Sequence, residues 1–481
     1  MTTVADPQEA AARSFADAKS IGLFVLSPHP IRLVELDRRG RPLGYRVTGR
    51  EPHRAAPAAG TFRDALDELL RRAGPGEVRI DGDVDPADPE LVWLDPYDRK
   101  LVSAVEALGM ACDLLRHRAR TARRTFAVGL TRWKRPAAQT FLDGPNGPPR
   151  FLRDAEAAAR EAQAASGRVA AWASRRTEAV EEAARSAGVP FGRLEDGFLR
   201  SVGLGSAFVG PLSLVLDETG IYYDPSVPSD LETLLREADI PPGLTARAAA
   251  LRERLVAANV TKYNIGVDRP PVVPEGRFGV LVPGQVEDDA SILKGAGAIR
   301  TNLGLLGAAR ERRPDAFIVY KPHPDVVAGY RRGAAPEAEV SRLADAVVID
   351  GSVAALYPQC RAVETMTSLS GFEALLRGLQ VTTHGQPFYA GWGLTEDLAP
   401  PHPKRGRARS LDELVAAALI LYPLYVDPVS GLPCGPEIAL DRLLAARALA
   451  ETPRGRLAAR IRHAYALGRH RLLGPIARRL R

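Results

Sequence analysis

The sequence predicts an α/β fold of two Rossmann-like lobes facing each other across a cleft, preceded by an N-terminal extension. Three observations predict it. Short apolar runs alternate with helix-length amphipathic segments in two separate blocks, a rhythm that sets strands side by side in parallel sheets with helices between them. A Pro- and Gly-rich segment, KYNIGVDRPPVVPEG, divides the blocks as an interdomain linker does. The chain of 481 residues is also too long for one ordinary core, and its 45% hydrophobic content is that of a globular protein, so about two or three domains are expected.

The elements follow in chain order. Residues 1–120 open with the apolar run IGLFVLS, pass through Pro-, Gly- and Asp-rich turns around residues 74–86 and the segment LVWLDP, and end in a helix near Arg120. No function attaches to this region from its residues. The first lobe, residues 121–265, holds FAVGL, then WKRPAAQTFL, a helix over residues 154–166, the strand RVAAW, a helix from Glu178, a short strand before GRLEDGF, and a helix over residues 246–259. The second lobe, residues 266–430, holds the strands FGVLV, AFIVY and ADAVVID, the helix FEALLRG and the strand LQVTTHG. Residues 431–481 supply terminal helices, expected to pack across both lobes, and a basic tail.

Composition excludes several classes of function. The three cysteines, Cys112, Cys360 and Cys434, lie too far apart for a zinc knuckle or redox pair, which predicts free thiols in a reducing compartment. The opening MTTVADPQEA carries acidic residues, and nowhere do about 18 uncharged apolar residues occur in succession, so neither secretion nor a membrane span is expected. Net charge is +7, yet residues 453–481 carry nine arginines and no acid, so the remainder is close to neutral. The basicity belongs to the tail, and the body carries no nucleic-acid footprint. GLGSAFVG and GAGAIR both break the G-x-G-x-x-G spacing and no Walker loop is present, which argues against nicotinamide and ATP chemistry.

Ligands of open parallel sheets bind beyond the carboxyl ends of strands, and four polar motifs fall there. YKPHPDV follows AFIVY; prolines after Lys321 and His323 push both residues toward extended backbone, and a lysine and a histidine so held suit a phosphate or a departing group. A turn histidine is the plainer alternative, since His29 and His402 also precede proline. In MTSLSGFEALLRG, Ser370 and Glu373 have the spacing of a capping box, and the helix start with Thr367, Ser368 and Ser370 suits a phosphate, although an ordinary capped helix has the same pattern. In LEDGFLRSVGLG, the adjacent Glu195 and Asp196, with Arg200 and Ser201 near, suit a general base or carboxylate nucleophile; solvated acids at an Asp-Gly turn are the alternative. In VPGQVEDDAS, Gly284 permits close backbone approach and Gln285 offers an amide that reads a base or sugar, and a plain loop fits as well. The rings of GQPFYAGWGL supply either a wall against a ligand or a packed loop.

These segments together, with PLSLVLDETGIYYDPSVPSDLE and TKYN, resemble the capsular polysaccharide β-Kdo transferases of Gram-negative bacteria, in order and approximate spacing from about residue 125 to residue 427. The Glu-Asp-Gly and His-Pro pair also resembles bacterial sialyltransferases. The resemblance implies a GT-B-like fold and a retaining transfer of Kdo, an acidic eight-carbon sugar, from CMP-β-Kdo to a lipid-linked Kdo acceptor at the cytoplasmic face of the inner membrane. It implies catalytic roles for Asp196 as nucleophile, Glu195 as its neighbour in proton handling, and His323. Lys321, Ser368, Ser370 and Gly371 would lie at the CMP phosphate, with Gln285, Gly284, Arg200 and Glu373 completing the donor site.

No cofactor beyond the donor is implied, and a single leaving phosphate predicts no metal requirement. Family members often carry two such modules; one motif set is found here, which leaves open whether a second transferase acts alongside. Two further readings stand: another CMP-linked nonulosonic acid as donor, or a non-catalytic capsule biosynthesis or export scaffold. The segment GRLAARIRHAYALGRHRLLGPIARRLR has the character of a basic amphipathic helix that lies on anionic lipid, each Lys or Arg adding about 1 kcal/mol, or of a helix docked on the protein. Membrane surface, glycolipid and capsule assembly proteins are thus the expected partners.

Overall fold

In the computed structural model the described residues are 92–98, 101–102, 104–199, 211–261, 272–329, 331–450 and Thr452, with three further N-terminal strands, Ile21–Leu26, Ile31–Leu36 and Val78–Asp81. They form three sheets. In the N-terminal sheet the apolar runs meet, Ile21–Leu26 pairing parallel with Val92–Leu94, and the helix Ala104–Thr121 leads out toward the first lobe.

The first-lobe sheet runs Leu424–Tyr425, Ser213–Asp217, Phe191–Asp196, Arg168–Trp172, Thr125–Val128, Arg150–Leu152. From Phe191–Asp196 to Arg150–Leu152 the pairings are parallel, with helices Arg135–Leu142, Ala155–Ala164 and Glu178–Ser186 in the crossovers. TFAV and RVAAW are buried along their whole length, which is why they read as apolar runs without alternation. Ser213–Asp217 then turns back antiparallel.

The second-lobe sheet is parallel throughout, in the order Ala346–Val347, Phe317–Lys321, Gly279–Pro283, Ala362–Thr365, Gln380–Thr383, Glu396–Asp397. The chain lays strands to one side of Gly279–Pro283, then returns past it and fills the other side. At that switch point the loops diverge and leave a crevice at the carboxyl ends of the strands.

Several boundaries differ from expectation. The helix expected at residues 246–259 is Pro242–Ala257, because Pro242 sits in its first turn, where a fixed φ favours the helix and the missing N–H costs nothing. ADAVVID contributes only Ala346–Val347 as an edge strand. The chain also crosses back to the first lobe earlier than residue 431: Leu424–Tyr425 joins the first sheet, and Leu411–Val415, Ala416–Leu421 and Pro436–Ala450 pack on Pro242–Ala257. Most of the interdomain segment, residues 262–271, lies outside the described residues, as do the tail from residue 453 and Arg200.

One aromatic core joins the lobes. Phe198 of the first packs on Phe388 of the second at 4.6 Å between ring centroids, and Phe388 on Phe372 at 5.2 Å. Tyr389 and Trp392 are fully buried there, so GQPFYAGWGL is chiefly a packed loop. Polar ties flank this core. Lys294 pairs with Asp224 at 2.6 Å, the buried Arg405 with the buried Glu232 at 3.2 Å, and His402 Nε2 donates to the Pro225 carbonyl at 2.8 Å. Among the described residues, Cys112, Cys360 and Cys434 form no disulfide. Among the described residues, no helix is long and apolar enough to cross a membrane.

Candidate functional site

A cavity of about 540 Å³ lies where the carboxyl ends of both sheets meet, a volume suited to a small-molecule ligand. It is lined by Glu195 and Asp196 from the first lobe and by Gly284, Gln285, Lys321, His323, Ser368, Ser370 and Glu373 from the second. Residues expected from four separate motifs are therefore brought to one place.

The carboxylate pair ends the strand Phe191–Asp196 rather than following it. Leu194 points into the lobe core, fully buried, and the register carries Glu195 and Asp196 out to the strand end. Glu195 Oε1 accepts hydrogen bonds from Trp172 Nε1 at 3.0 Å and from the Asp196 backbone N–H at 3.1 Å. Trp172 ends the neighbouring strand, and the Lys134 ammonium lies over its ring, 2.9 Å from the centroid.

On the opposite wall, Lys321 ends the strand Phe317–Lys321 and its Nζ donates to the Ile349 carbonyl at 2.6 Å, which aims the ammonium. His323 is extended, with φ −67° and ψ 135°, as a residue before proline should be. Its Nδ1 accepts the Asp325 N–H at 3.1 Å, so in the neutral ring the proton rests on Nε2. Gly284 donates its N–H to the Lys321 carbonyl at 2.8 Å, and a Cβ there would stand 3.0 Å from the Tyr320 hydroxyl and 3.1 Å from the His323 nitrogen, so glycine is what lets the two loops touch.

The helix Leu369–Leu376 corrects the expected capping box. Its cap is Ser368, whose hydroxyl accepts the Ser370 N–H at 3.1 Å. Glu373 instead takes the Tyr357 hydroxyl at 2.8 Å; burial, then the adjoining Glu373 carboxylate, push that phenol far above its usual ionisation range. The register was set by tertiary contacts. Gln285 accepts at Oε1 from the Thr367 N–H (3.0 Å) and the Thr365 hydroxyl (3.2 Å) and donates from Nε2 to the Thr367 hydroxyl (3.0 Å). Its backbone N–H is in turn held by Asn302 Oδ1 at 2.8 Å. The amide expected to read a base or sugar is thus occupied in stapling the two switch-point loops. Gly371 packs under the Tyr389 hydroxyl, which donates to the Ser368 carbonyl at 2.5 Å.

Trp172, Tyr357 and Asn302 were not singled out from sequence. Their signals, single aromatics in apolar runs and an asparagine at a helix start, are those of ordinary core and cap residues. Chemically, one wall offers a lysine, an imidazole, serine hydroxyls and a helix N-terminus to an anionic group; the other offers two carboxylates. Among the described residues, no three His, Cys, Asp or Glu side chains converge as metal ligands would.

Fold and cleft together define a two-lobed α/β protein with a polar, ligand-sized crevice between its sheets. The chain belongs to the family described as capsule polysaccharide biosynthesis protein, whose profile matches residues 168–259 and 242–426. It is 39% identical over 352 residues, 73% of this chain, to the capsule polysaccharide modification protein LipA of Neisseria meningitidis serogroup A, and covers 50% of that relative. It is 45% identical over 258 residues, 53% of this chain, to the lipopolysaccharide-processing protein LpsZ of Rhizobium meliloti, covering 58% of it. The chain thus spans about half the length of the relatives it matches.

Two solved structures share the fold. One is KpsC, beta Kdo 2,7 transferase, of Thermosulfurimonas dismutans: TM-score 0.55 and 36% identity, covering 68% of this chain and all of that one, a full 100%. The other is the beta Kdo 2,4 transferase of the same organism's KpsC: TM-score 0.59 and 33% identity, covering 66% and 98%.

Proposed function

We propose that this chain is a retaining β-Kdo glycosyltransferase of GT-B-like architecture that moves Kdo from CMP-β-Kdo to a lipid-linked Kdo acceptor in capsule linker synthesis. The observation that carries the reading is that Asp196 and His323, from different lobes, line one cavity with the Ser368 helix start. The likeness to the two Kdo transferase structures supports it.

In this reading the CMP phosphate lies against Lys321, His323, Ser368 and Ser370, where positive charge and helix N–H groups meet the charge that builds on the leaving oxygen. An Asp196 oxygen bonds to the anomeric carbon as the bond to the phosphate oxygen breaks, its electron pair leaving with CMP. His323 donates a hydrogen bond to that oxygen from Nε2. In the second step the acceptor oxygen bonds to the anomeric carbon, Asp196 departs as carboxylate, and Glu195 takes the acceptor's proton. Two inversions give net retention. A monophosphate leaves no pair of phosphates for a metal to bridge, so turnover should persist in EDTA.

The enzyme would work in the cytoplasm at the inner membrane, with residues 453–481 at the lipid and capsule assembly proteins nearby; liposome flotation with and without those residues tests that. The reaction is tested by incubation with CMP-Kdo, generated in situ, and a synthetic Kdo-bearing glycolipid, read by mass spectrometry. Addition of one Kdo, abolished by Asp196→Asn in a folded protein, is expected. No addition by the wild type, or full activity in Asp196→Asn, overturns the reading.

A further inference from the structure

A tyrosine outside the expected set reaches the same cavity. Tyr223 follows the strand Ser213–Asp217 on a loop of the first lobe whose next residue, Asp224, is tied to Lys294 of the second. It lines the cleft beside Glu195 and Asp289 and is only 8% exposed. Its hydroxyl finds no hydrogen-bond partner among the described residues. Tyrosine hydroxyls that are buried ordinarily find a partner, because leaving one unpaired costs its full desolvation.

The neighbourhood says what would partner it. Burial first, then Glu195, Tyr222 and Asp289, push the phenol's ionisation far above its usual range, so the group remains a donor at any physiological pH. An anionic ligand group at this place would face two carboxylates. A sugar hydroxyl meets no such conflict, since it accepts from the phenol with a lone pair and offers its own hydrogen to a carboxylate.

We infer that Tyr223 binds the attacking hydroxyl of the acceptor sugar, donating to its oxygen and so holding that oxygen's hydrogen toward Glu195. The inference rests on the transferase reading and adds to it an acceptor-binding residue.

Tyr223→Phe tests it, because the ring that packs on Tyr222 at 5.2 Å is kept and one oxygen is removed. With CMP-Kdo and a synthetic Kdo glycolipid, the acceptor KM should rise about three- to tenfold, the worth of one neutral hydrogen bond. The donor KM and the rate of donor hydrolysis without acceptor should stay as in the wild type. An unchanged acceptor KM, or a shift in donor KM instead, overturns the assignment. Thermal unfolding gives a second check: losing an unpartnered hydroxyl should leave the midpoint equal or higher, and a lower midpoint would show a structural partner and count against it. If the wild type transfers nothing, the transferase reading itself has failed; an active wild type with an unmoved variant sinks only the role of Tyr223.

Discussion

Gly371→Ala probes how tightly the helix start that lines the cleft is held. A Cβ at this position would stand 2.3 Å from the Tyr389 hydroxyl, 2.8 Å from Cζ and 3.0 Å from Cε2, all inside contact distance. Neither partner can yield cheaply. Tyr389 is fully buried, packed on Phe388 at 5.2 Å, and its hydroxyl is committed to the Ser368 carbonyl. Overpacking of this kind costs about 1–3 kcal/mol, and parting the hydroxyl from Ser368 adds about 1–3 kcal/mol for buried groups left unpaired. The variant should therefore be about 2–6 kcal/mol less stable. Urea unfolding measures it, with fluorescence of the buried Trp392 in the same loop as a local probe. Adding Tyr389→Phe removes the 2.3 Å contact, so the double variant should be at least about 1 kcal/mol more stable than the sum of the singles implies. A Gly371→Ala cost under about 0.5 kcal/mol, or strict additivity with Tyr389→Phe, would refute the packing argument.

Two further predictions follow from other parts of the molecule. Trp172→Phe removes the 3.0 Å hydrogen bond to Glu195 while keeping an aromatic ring, and should lower kcat about tenfold or more with CMP affinity unchanged; an unchanged kcat would remove Trp172 as the group that orients Glu195 as the proposed base. Burial works to raise the Asp427 carboxyl, but hydrogen bonds from Arg442, Ser430 and the Val429 N–H outweigh it and hold it at about 2. Because the folded value is depressed, this contact stabilises fully above the unfolded value of about 3.9 and fades as pH falls toward 2. The stability gap between wild type and Asp427→Asn should accordingly be constant near neutrality and close between about pH 4 and pH 2; a gap that ignores pH over that range would contradict it.

Legibility in the sequence tracked how local each cause is. TFAV, RVAAW and GVLVP are buried along their length, and an uninterrupted apolar run is the signature such strands leave. His323 was readable for the same reason: a proline acts on its immediate predecessor, and the extended geometry at His323 is a local effect. The capping register was not readable. Ser370 and Glu373 have the right spacing, yet Gln285, far away in sequence, fixes Thr367 and with it the point where the helix begins, and Tyr357 draws Glu373 away. Trp172 and Tyr223 are not legible as site residues, because nothing within a few residues of either tells a cleft wall from a core. The crossing of residues 411–450 back to the first lobe is long-range in the same sense: ALIL and LY are apolar whichever lobe they cover.

The central claim is that a cytidine nucleotide binds in the cleft that Asp196 and His323 share. The most direct measurement is a crystal structure of the protein with CMP. The expected result is the phosphate within hydrogen-bond reach of His323 and of the Ser368 or Ser370 hydroxyl, with Asp196 facing the space where the sugar would attach. CMP bound on another surface, or in the cleft with its phosphate turned toward the Glu195 and Asp196 wall, would contradict it.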